Sequence, residues 1–184
     1  MILGITGGTG CGKTTLLKEI EARGGLVLDC DAVYHELLTR DCALLNAIEH
    51  RFPGVVVDKK LERKKLGAIV FADEQALQDL NAITHGAIKA EIVRRLAENP
   101  PLAAIDAIAL FEGGLAELCH TTVAITAPRD ARIQRLMKRD GISYEYAENR
   151  INAQKSESWF REMCEHTLHN DGTPEEFREK CSEF

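Results

Sequence analysis

Four short stretches of this chain are dense in apolar residues: ILGIT (2–6), GGLVLD (24–29), LAAIDAIALF (102–111) and TTVAIT (121–126). Runs of this length predict buried strands. They are continuous rather than alternating, which is typical of the central strands of a parallel sheet covered on both faces. The pattern therefore predicts a sheet that lies in the interior of the protein.

The stretches between these strands carry apolar residues at helical spacing. Leu16, Leu17 and Ile20 follow the first strand in this way. A long helix from Asp73 to about Leu96 is predicted by one apolar stripe, formed by Leu80, Ile83, Ala87, Ile88 and Ile92. Further helices are predicted over residues 32–38, 43–52, 128–140, 143 to about 154, and after 173. Residues 53–65 are polar and turn-rich, and we expect a loop there.

Three helix ends have recognisable signals. Gly141 is expected to end one helix and Ser143 to cap the next, while Thr173, Pro174 and Glu176 form a capping box with proline at the first helical position. Strands alternating with helices predict an α/β fold, an open parallel sheet flanked by helices and joined by right-handed crossovers.

Composition and charge exclude several classes of protein. The chain is 45% hydrophobic and 28% charged, as in ordinary globular proteins. Its net charge is −6, without a basic block, so no nucleic-acid partner is expected. The apolar runs are too short to span a bilayer and do not form a signal peptide, so no membrane association is expected. Six cysteines without a C-x-x-C pair indicate reduced thiols in a cytoplasmic protein, and zinc binding stays a minor alternative.

The segment GGTGCGKTT (7–15) carries the first candidate chemistry. Gly7, Gly12, Lys13 and Thr14 match the phosphate-binding P-loop pattern, between a strand and a helix as that pattern requires. Glycines let main-chain N–H groups converge on phosphate, the lysine reaches the β- and γ-phosphates, and the threonine hydroxyl ligates magnesium. The predicted ligands are a nucleoside triphosphate and Mg²⁺, with the nucleotide contacted by Gly8, Thr9, Gly10, Cys11, Gly12, Lys13, Thr14 and Thr15 and the metal by Thr14. The alternative is a glycine-rich turn, and the pattern alone does not separate kinases from ATPases and GTPases.

Two acids follow the second predicted strand. Asp29 and Asp31 lie where the carboxyl end of the strand opens onto the ligand crevice of such a sheet. On an extended segment both side chains would point to one side, and Asp31 could accept the proton of an attacking hydroxyl or hold magnesium through water. The alternative is that Asp31 caps the following helix.

A third candidate is the arginine-rich helix. Arg132, Arg135 and Arg139 lie three and four residues apart on one helix face. Guanidinium groups suit phosphate oxygens, and we expect Arg139 and Arg135 to contact them. Arg132 is expected on the surface, and the alternative for the whole face is solvated arginines in weak ion pairs.

With these motifs in place, the chain resembles the dephospho-CoA kinases. The resemblance also rests on "LGAIVFAD" (66–73), "LNAITH" (80–85), "ALFEGGL" (109–115), "RLMKRDGIS" (135–143), "RINAQ" (150–154) and "NDG" (170–172). The order and spacing of these segments are specific to this family. The resemblance implies transfer of the ATP γ-phosphoryl group to the ribose 3′-hydroxyl of dephospho-CoA, the last step of coenzyme A synthesis.

The resemblance also implies an architecture within one P-loop NTPase domain over residues 1–184. Its core would comprise about 1–31, 97–129 and 157–184, with a helical acceptor-binding region at about 32–96 and a helical lid at about 130–156. Asp31 would be the general base, with Lys13 and Arg139 as the other catalytic residues. His85 and Glu112 would contact the acceptor, as would Asp29, and Asn170 to Gly172 would lie near the adenine.

Some positions and alternatives stay open. His35, Gly86 and Ala109 depart from the family pattern on the acceptor side. The alternative for His85 is an ordinary histidine at the edge of its helix, with no role in substrate binding. Cys11 is either a tolerated small residue or an oxidation-sensitive thiol. The rivals are a kinase of another small acceptor, such as a nucleoside monophosphate or shikimate, and a nucleotide-sensing protein without transfer chemistry. We expect a monomer and leave an oligomer open.

Overall fold

A computed structural model describes residues 1–40 and 42–184. Its strands are β1 (Ile2–Thr6), β2 (Leu26–Asp29), β3 (Val56–Val57), β4 (Lys60–Leu61), β5 (Ala103–Asp106), β6 (Thr121–Thr126) and β7 (His166–His169). Its helices are α1 (Lys13–Ala22), α2 (Cys30–Arg40), α3 (Cys42–Arg51), α4 (Arg63–Val70), α5 (Glu74–Leu96), α6 (Arg129–Asp140), α7 (Tyr144–Asn152), α8 (Glu157–Met163) and α9 (Pro174–Glu183). None of the helices in these two ranges is long and apolar enough to cross a membrane.

The described chain forms two compact units. The first comprises Met1–Leu28, Pro100–Leu110 and Leu115–Phe184, and the second comprises Asp29–Asn99 and Phe111–Gly114. The first unit is built on a five-stranded sheet, and the second is mostly helical.

The sheet has the strand order β2-β5-β1-β6-β7, and β1 pairs in parallel with both β5 and β6. Leu3 and Ile5 of β1 are buried against Leu16 and Ile20 of α1 and Phe177 of α9. The central strand is covered by helices, so its apolar residues face packed neighbours on both sides. The predicted α/β fold with a buried parallel sheet is confirmed. Because the strands are parallel, their carboxyl ends meet at one edge, where ligands bind in folds of this type.

The second unit has its own core, where α2, α3 and α5 pack together with α4 and the β3–β4 hairpin. Its fully buried side chains include Val33, Ile48, Phe52, Val55 and Ile92. The Asp73 side chain caps α5 by accepting a hydrogen bond from the Gln75 N–H at 2.9 Å, so the predicted start of this helix is confirmed.

Two predictions of secondary structure need correction, and two further elements had no prediction. The strand expected over 102–111 ends at Asp106, and turns follow it. Leu110 is buried in these turns, where its carbonyl oxygen accepts a hydrogen bond from the Leu115 N–H at 3.0 Å. The loop expected over 53–65 contains the β3–β4 hairpin and the start of α4. The edge strand β7 and the helix α8 were not predicted. In β7 only Leu168 is aliphatic, and the strand is defined by its pairing with β6 rather than by its own apolar pattern.

Candidate active site

The segment between β1 and α1 forms a loop with unusual main-chain angles. Gly7, Gly10 and Gly12 have φ values of 140°, 79° and 99°. A Cβ atom on Gly7 would overlap the Ile125 carbonyl oxygen, and one on Gly12 would overlap the Asn170 side-chain amide. Glycine is therefore required at both positions by conformation and by close approach.

Three consecutive carbonyl groups of this loop are bound by side chains from other elements. Arg132 Nε donates to the Thr9 oxygen at 2.9 Å, and an Arg135 Nη donates to the Gly10 oxygen at 3.2 Å. Asn170 Nδ2 donates to the Cys11 oxygen at 2.8 Å. In a trans peptide the carbonyl of one residue and the N–H of the next point in opposite directions. The N–H groups of residues 10–12 therefore face away from these partners. The Cys11 N–H donates to the Gly8 carbonyl oxygen at 3.3 Å. The directions of the Gly10 and Gly12 N–H groups are those of an anion-binding loop.

Lys13 is the first residue of α1, at the end of this loop. Its Nζ donates to the Gly7 carbonyl oxygen at 3.1 Å and lies 3.9 Å from Asp106 Oδ1. Gly12 caps the helix without a side-chain hydrogen bond, so the first turn of α1 presents its N–H groups and positive dipole end. Thr14 lies in that turn with an exposed side chain. The lysine charge, the helix start and the loop amides thus belong to one region of the first unit.

Asp106 was missed in the sequence analysis. It ends β5, next to β1 in the sheet, and its Oδ1 is buried near the Lys13 ammonium. The available signal was an acid at the end of the apolar run AAID (103–106). A carboxylate at the carboxyl end of a strand faces the ligand edge of the sheet.

The three arginines of α6 differ in their environment. Arg132, predicted on the surface, is instead buried, with 7% of its surface exposed, because its guanidinium group bonds to the loop. Arg135 bonds to the Gly10 oxygen and, at 3.2 Å, to Asn170 Oδ1. Arg139 is exposed and donates to both carboxylate oxygens of Asp140, at 2.6 and 2.9 Å. The hydrogen bonds from Arg139 and from Arg150 lower the pKa of the Asp140 carboxyl to about 2.

Asn170 and Gly172 follow β7. The Asn170 N–H donates to the Thr126 carbonyl oxygen at 2.8 Å, so its buried side chain is anchored at the carboxyl edge of the sheet. Gly172 is exposed just before α9, whose capping box at Thr173 and Glu176 is formed as predicted.

In the second unit, Asp29 rather than Asp31 caps α2. Asp29 Oδ1 accepts hydrogen bonds from the N–H groups of Asp31 and Ala32, at 2.9 and 3.1 Å. The expectation of two acids on one extended segment is wrong, since α2 begins at Cys30. The alternative that Asp31 is the cap is also wrong. Asp31 lies in the first turn of α2 with an exposed side chain.

The other acceptor-side candidates also lie in the second unit. His85 is half-buried on α5, and Glu112 is exposed in Phe111–Gly114, the short segment that clusters with the helical unit. The His35 Nδ1 lies 3.0 Å from an Arg63 Nη. Two other positions also depart from the family pattern. Gly86 lies on α5, and Ala109 lies in the turns after β5.

The six cysteines form no disulfide. Burial raises the pKa of the Cys11 thiol, although Arg132 and Lys13 act in the opposite direction. Within residues 1–40 and 42–184, no group of three or more His, Cys, Asp or Glu side chains is placed to hold a metal ion, so the zinc alternative has no supporting cluster.

Comparison with known proteins now gives the family. The family model CoaE, dephospho-CoA kinase, matches residues 1–176. This chain belongs to the dephospho-CoA kinase family. The family identified by resemblance is confirmed, and with it an ATP-dependent kinase of the P-loop fold.

Individual relatives and solved structures are similar to this chain over most of its length. A relative from Anaeromyxobacter dehalogenans named dephospho-CoA kinase is 37% identical over 180 residues, covering 95% of this chain and 85% of the relative. The crystal structure of TT1252 from Thermus thermophilus has a TM-score of 0.85 at 30% identity, covering 100% of this chain and 94% of that one. The dephospho-CoA kinase from Campylobacter jejuni has a TM-score of 0.69 at 26% identity, covering 99% and 94%.

Proposed function

We propose that this protein transfers the γ-phosphoryl group of ATP to the 3′-hydroxyl of the ribose in dephospho-CoA, giving coenzyme A and ADP. The family match supports the reaction. The observation that carries the proposal is the orientation of the phosphate loop, whose carbonyl groups at Thr9, Gly10 and Cys11 bond outwards. A loop held this way directs the Gly10 and Gly12 N–H groups towards phosphate oxygens.

ATP would be bound entirely by residues of the first unit. Residues 8–15 would surround the phosphates, with main-chain N–H groups such as that of Gly10 directed at them, and Lys13 would reach the β- and γ-phosphates. Arg135 and Asn170 bond to each other and to the loop, which supports their predicted place beside the nucleotide. Gly172, in the exposed turn before α9, would lie near the adenine.

The residues at the head of α1 fit a magnesium ion. Magnesium usually keeps several waters and takes one or two carboxylates together with substrate phosphates. The Thr14 hydroxyl is exposed in the first turn of α1, and the Asp106 carboxylate lies 3.9 Å from Lys13 Nζ. We propose Thr14 as a direct ligand and Asp106 as a ligand through water. When bound, magnesium would neutralise charge on the β- and γ-phosphates.

Asp31 would act as the general base. Its carboxylate would accept the proton of the 3′-hydroxyl as the oxygen forms a bond to the γ-phosphorus and the bond to the β–γ bridging oxygen breaks. The capping role at the start of α2 belongs to Asp29, which leaves the Asp31 carboxylate available for this task. Lys13 and Arg139 would stabilise the negative charge on the transferring group.

Asp29, His85 and Glu112 would contact the acceptor. All three lie in the second unit, including Glu112, whose short segment is far in sequence from the rest of that unit. His35, Gly86 and Ala109 depart from the family pattern, so we expect the detailed acceptor contacts to differ around them. The partner is a small molecule, and we propose a cytoplasmic monomer that binds neither nucleic acid nor membrane, in keeping with its net charge of −6.

The test is an ADP-release assay with ATP, magnesium and dephospho-CoA, with the product identified by mass. We expect fast ADP release and a product heavier by one phosphoryl group with dephospho-CoA only. Faster turnover of a nucleoside monophosphate or shikimate would support the rival kinases. ATP binding without any phosphorylated product would support a nucleotide-sensing protein.

A further inference from the structure

Both main-chain polar groups of Thr9, its N–H and its carbonyl oxygen, are held by side chains from distant parts of the chain. The Thr9 N–H donates to Gln154 Oε1 at 2.8 Å, and the Thr9 carbonyl oxygen accepts from Arg132 Nε at 2.9 Å. Arg132 lies on α6 and Gln154 lies just after α7. The third position of the phosphate loop is therefore bonded on both its donor and its acceptor side.

Arg132 and Gln154 also bond to each other. An Arg132 Nη donates to Gln154 Oε1 at 3.2 Å, which closes a ring of three hydrogen bonds through Thr9. The guanidinium group lies against the main chain of Gly8, where a Cβ atom would overlap it and would approach Gln154 Oε1 to 3.1 Å. A side chain at Gly8 would therefore displace the Arg132 guanidinium group and crowd Gln154 Oε1.

The two side chains share one support. Ile133 and Leu136 of α6 pack against Ala147 and Ile151 of α7 in a small core of their own. Gln154 follows α7 closely, and its N–H donates to the Ile151 carbonyl oxygen at 3.2 Å. The helix pair α6–α7 therefore carries both residues that hold Thr9, and moving the pair would move both contacts together.

Holding Thr9 also orients the next peptide group. The Thr9 carbonyl points to Arg132, so the Gly10 N–H points to the other side, where the phosphate would lie. Gly7, Gly8, Gly10 and Gly12 make this segment flexible in isolation, and ordering such residues costs conformational entropy. A loop that is ordered before the ligand arrives binds it more tightly.

We propose that Arg132 and Gln154 are positioning residues, which hold the Thr9 peptide so that the phosphate loop is ordered before ATP binds. This role rests on the proposed function, since it concerns the same nucleotide site. It also makes the loop conformation depend on the α6–α7 pair, which overlaps the predicted lid, residues 130–156. Neither side chain needs to touch the reacting atoms for this role.

The first experiment compares Gln154→Leu with Gln134→Leu. Gln134 is exposed on α6, so the same change there leaves Thr9 untouched. Loss of the Thr9 hydrogen bond should weaken ATP binding about 10-fold, the ratio that one ordinary hydrogen bond provides. Hydrogen exchange in a peptide covering residues 7–12 should rise by about the same factor, since exchange reports local opening. Gln134→Leu should change neither quantity.

A double-mutant cycle with Arg132→Lys tests the ring itself, and the milder lysine variant keeps the test usable if larger changes impair folding. We expect the double variant to bind ATP more tightly than the product of the two single effects predicts, because residues in one network are not additive. The inference would be overturned if the two single effects on ATP affinity simply multiplied in the double variant. It would also be overturned if Gln154→Leu left both the ATP affinity and the hydrogen exchange of residues 7–12 unchanged.

The outcomes separate this inference from the proposed function. A wild-type protein that binds no ATP would overturn both. A wild-type protein that binds ATP and phosphorylates dephospho-CoA, with a Gln154→Leu variant that does so with the same KM for ATP, would overturn the positioning role alone. A raised KM for ATP with nearly constant kcat would support it, because ordering the loop acts on binding.

Discussion

The side chain of Asn170 bonds to the carbonyl oxygen of Cys11 at 2.8 Å, across 159 positions of the chain. The same amide group accepts from Arg135 at 3.2 Å through Oδ1, and the main chain of Asn170 is bonded to the Thr126 oxygen of β6. The phosphate loop is therefore connected to the carboxyl edge of the sheet through one buried amide. Gly12 lies so close to this amide that any side chain there would displace it.

Replacing Asn170 by alanine should weaken ATP binding. The change removes the partner of the buried Cys11 carbonyl and of one Arg135 nitrogen, and loss of such hydrogen bonds corresponds to about a 10-fold change in Kd. Calorimetric titration with ATP measures the effect. Asn149→Ala, at an exposed position of α7, is the matched control and should bind ATP as the wild type does. Equal affinity in both variants would show that Asn170 does not support the loop.

Replacing Asp31 by asparagine should lower turnover by about 100-fold or more and leave ATP affinity within a few-fold, as expected for loss of a general base. Asp130→Asn is the control, because Asp130 is also an exposed acid in the first turn of a helix, α6. Both changes remove the same favourable interaction with a helix dipole. Steady-state kinetics with dephospho-CoA give the comparison, and an Asp31→Asn enzyme with wild-type kcat would remove Asp31 from the mechanism.

Replacing Glu91 by glutamine should destabilise the second unit. The Glu91 carboxylate, 7% exposed, accepts hydrogen bonds from Arg94 and Arg95 at 2.8 Å and from Arg40 at 3.2 Å. Losing the charge of a group bonded this way should cost about 2 kcal/mol of unfolding free energy. Urea unfolding followed by circular dichroism measures it, with exposed Glu179→Gln of α9 as the control. A loss no larger than that of the control would contradict the prediction.

The same carboxylate should make stability depend on pH. Hydrogen bonds from Arg94 first, then from Arg95 and Arg40, hold the pKa of Glu91 well below its ordinary value of 4.5. A lowered pKa gives stability that is present above the ordinary value and is lost as the pH falls through the folded-state value. Below pH 4.5 the wild type should therefore lose stability faster than Glu91→Gln. If the unfolding free energies of the two proteins fell equally as the pH was lowered, this prediction would be wrong.

Cys11 should react slowly with alkylating reagents despite its place in the phosphate loop. Burial raises the pKa of its thiol, and only 3% of its surface is exposed. Thiolate formation and access both control such reactions, so at pH 7.5 iodoacetamide should modify exposed Cys42 at least about 10-fold faster. Peptide mass spectrometry over time measures both rates. Rapid modification of Cys11 would instead support the oxidation-sensitive thiol considered above.

Local sequence was enough to predict the loop and most of the elements around it. GGTGCGKTT lies between a continuous apolar run and a helix, and its glycines adopt the main-chain angles that only glycine tolerates easily. The caps at Asp73, Ser143 and Thr173 involve neighbours within three residues, so their hydrogen bonds could be read directly from the chain. Such features depend on contacts close in sequence.

Contacts between distant residues could not be read in this way. A face of three arginines looks equally exposed in the sequence, yet Arg132 is buried against Thr9, and Arg139 is held at the surface by Asp140. The short strand β7 is likewise defined by pairing with β6, which supplies the hydrogen bonds that its own composition does not predict. Asp106 faces Lys13 only because β1 and β5 are neighbours in the sheet.

The parallel sheet and the phosphate loop could be predicted from the amino-acid sequence alone, because main-chain conformation and apolar spacing are local properties of the chain. The family could be predicted from the order and spacing of the sequence motifs. The side chains that hold the phosphate loop are known only from the folded chain, since they come from positions far along the sequence: Arg132, Arg135, Gln154 and Asn170. Their hydrogen bonds form only when the strands have paired and the helices have packed. A local sequence pattern therefore does not predict which distant side chains will bond to the loop.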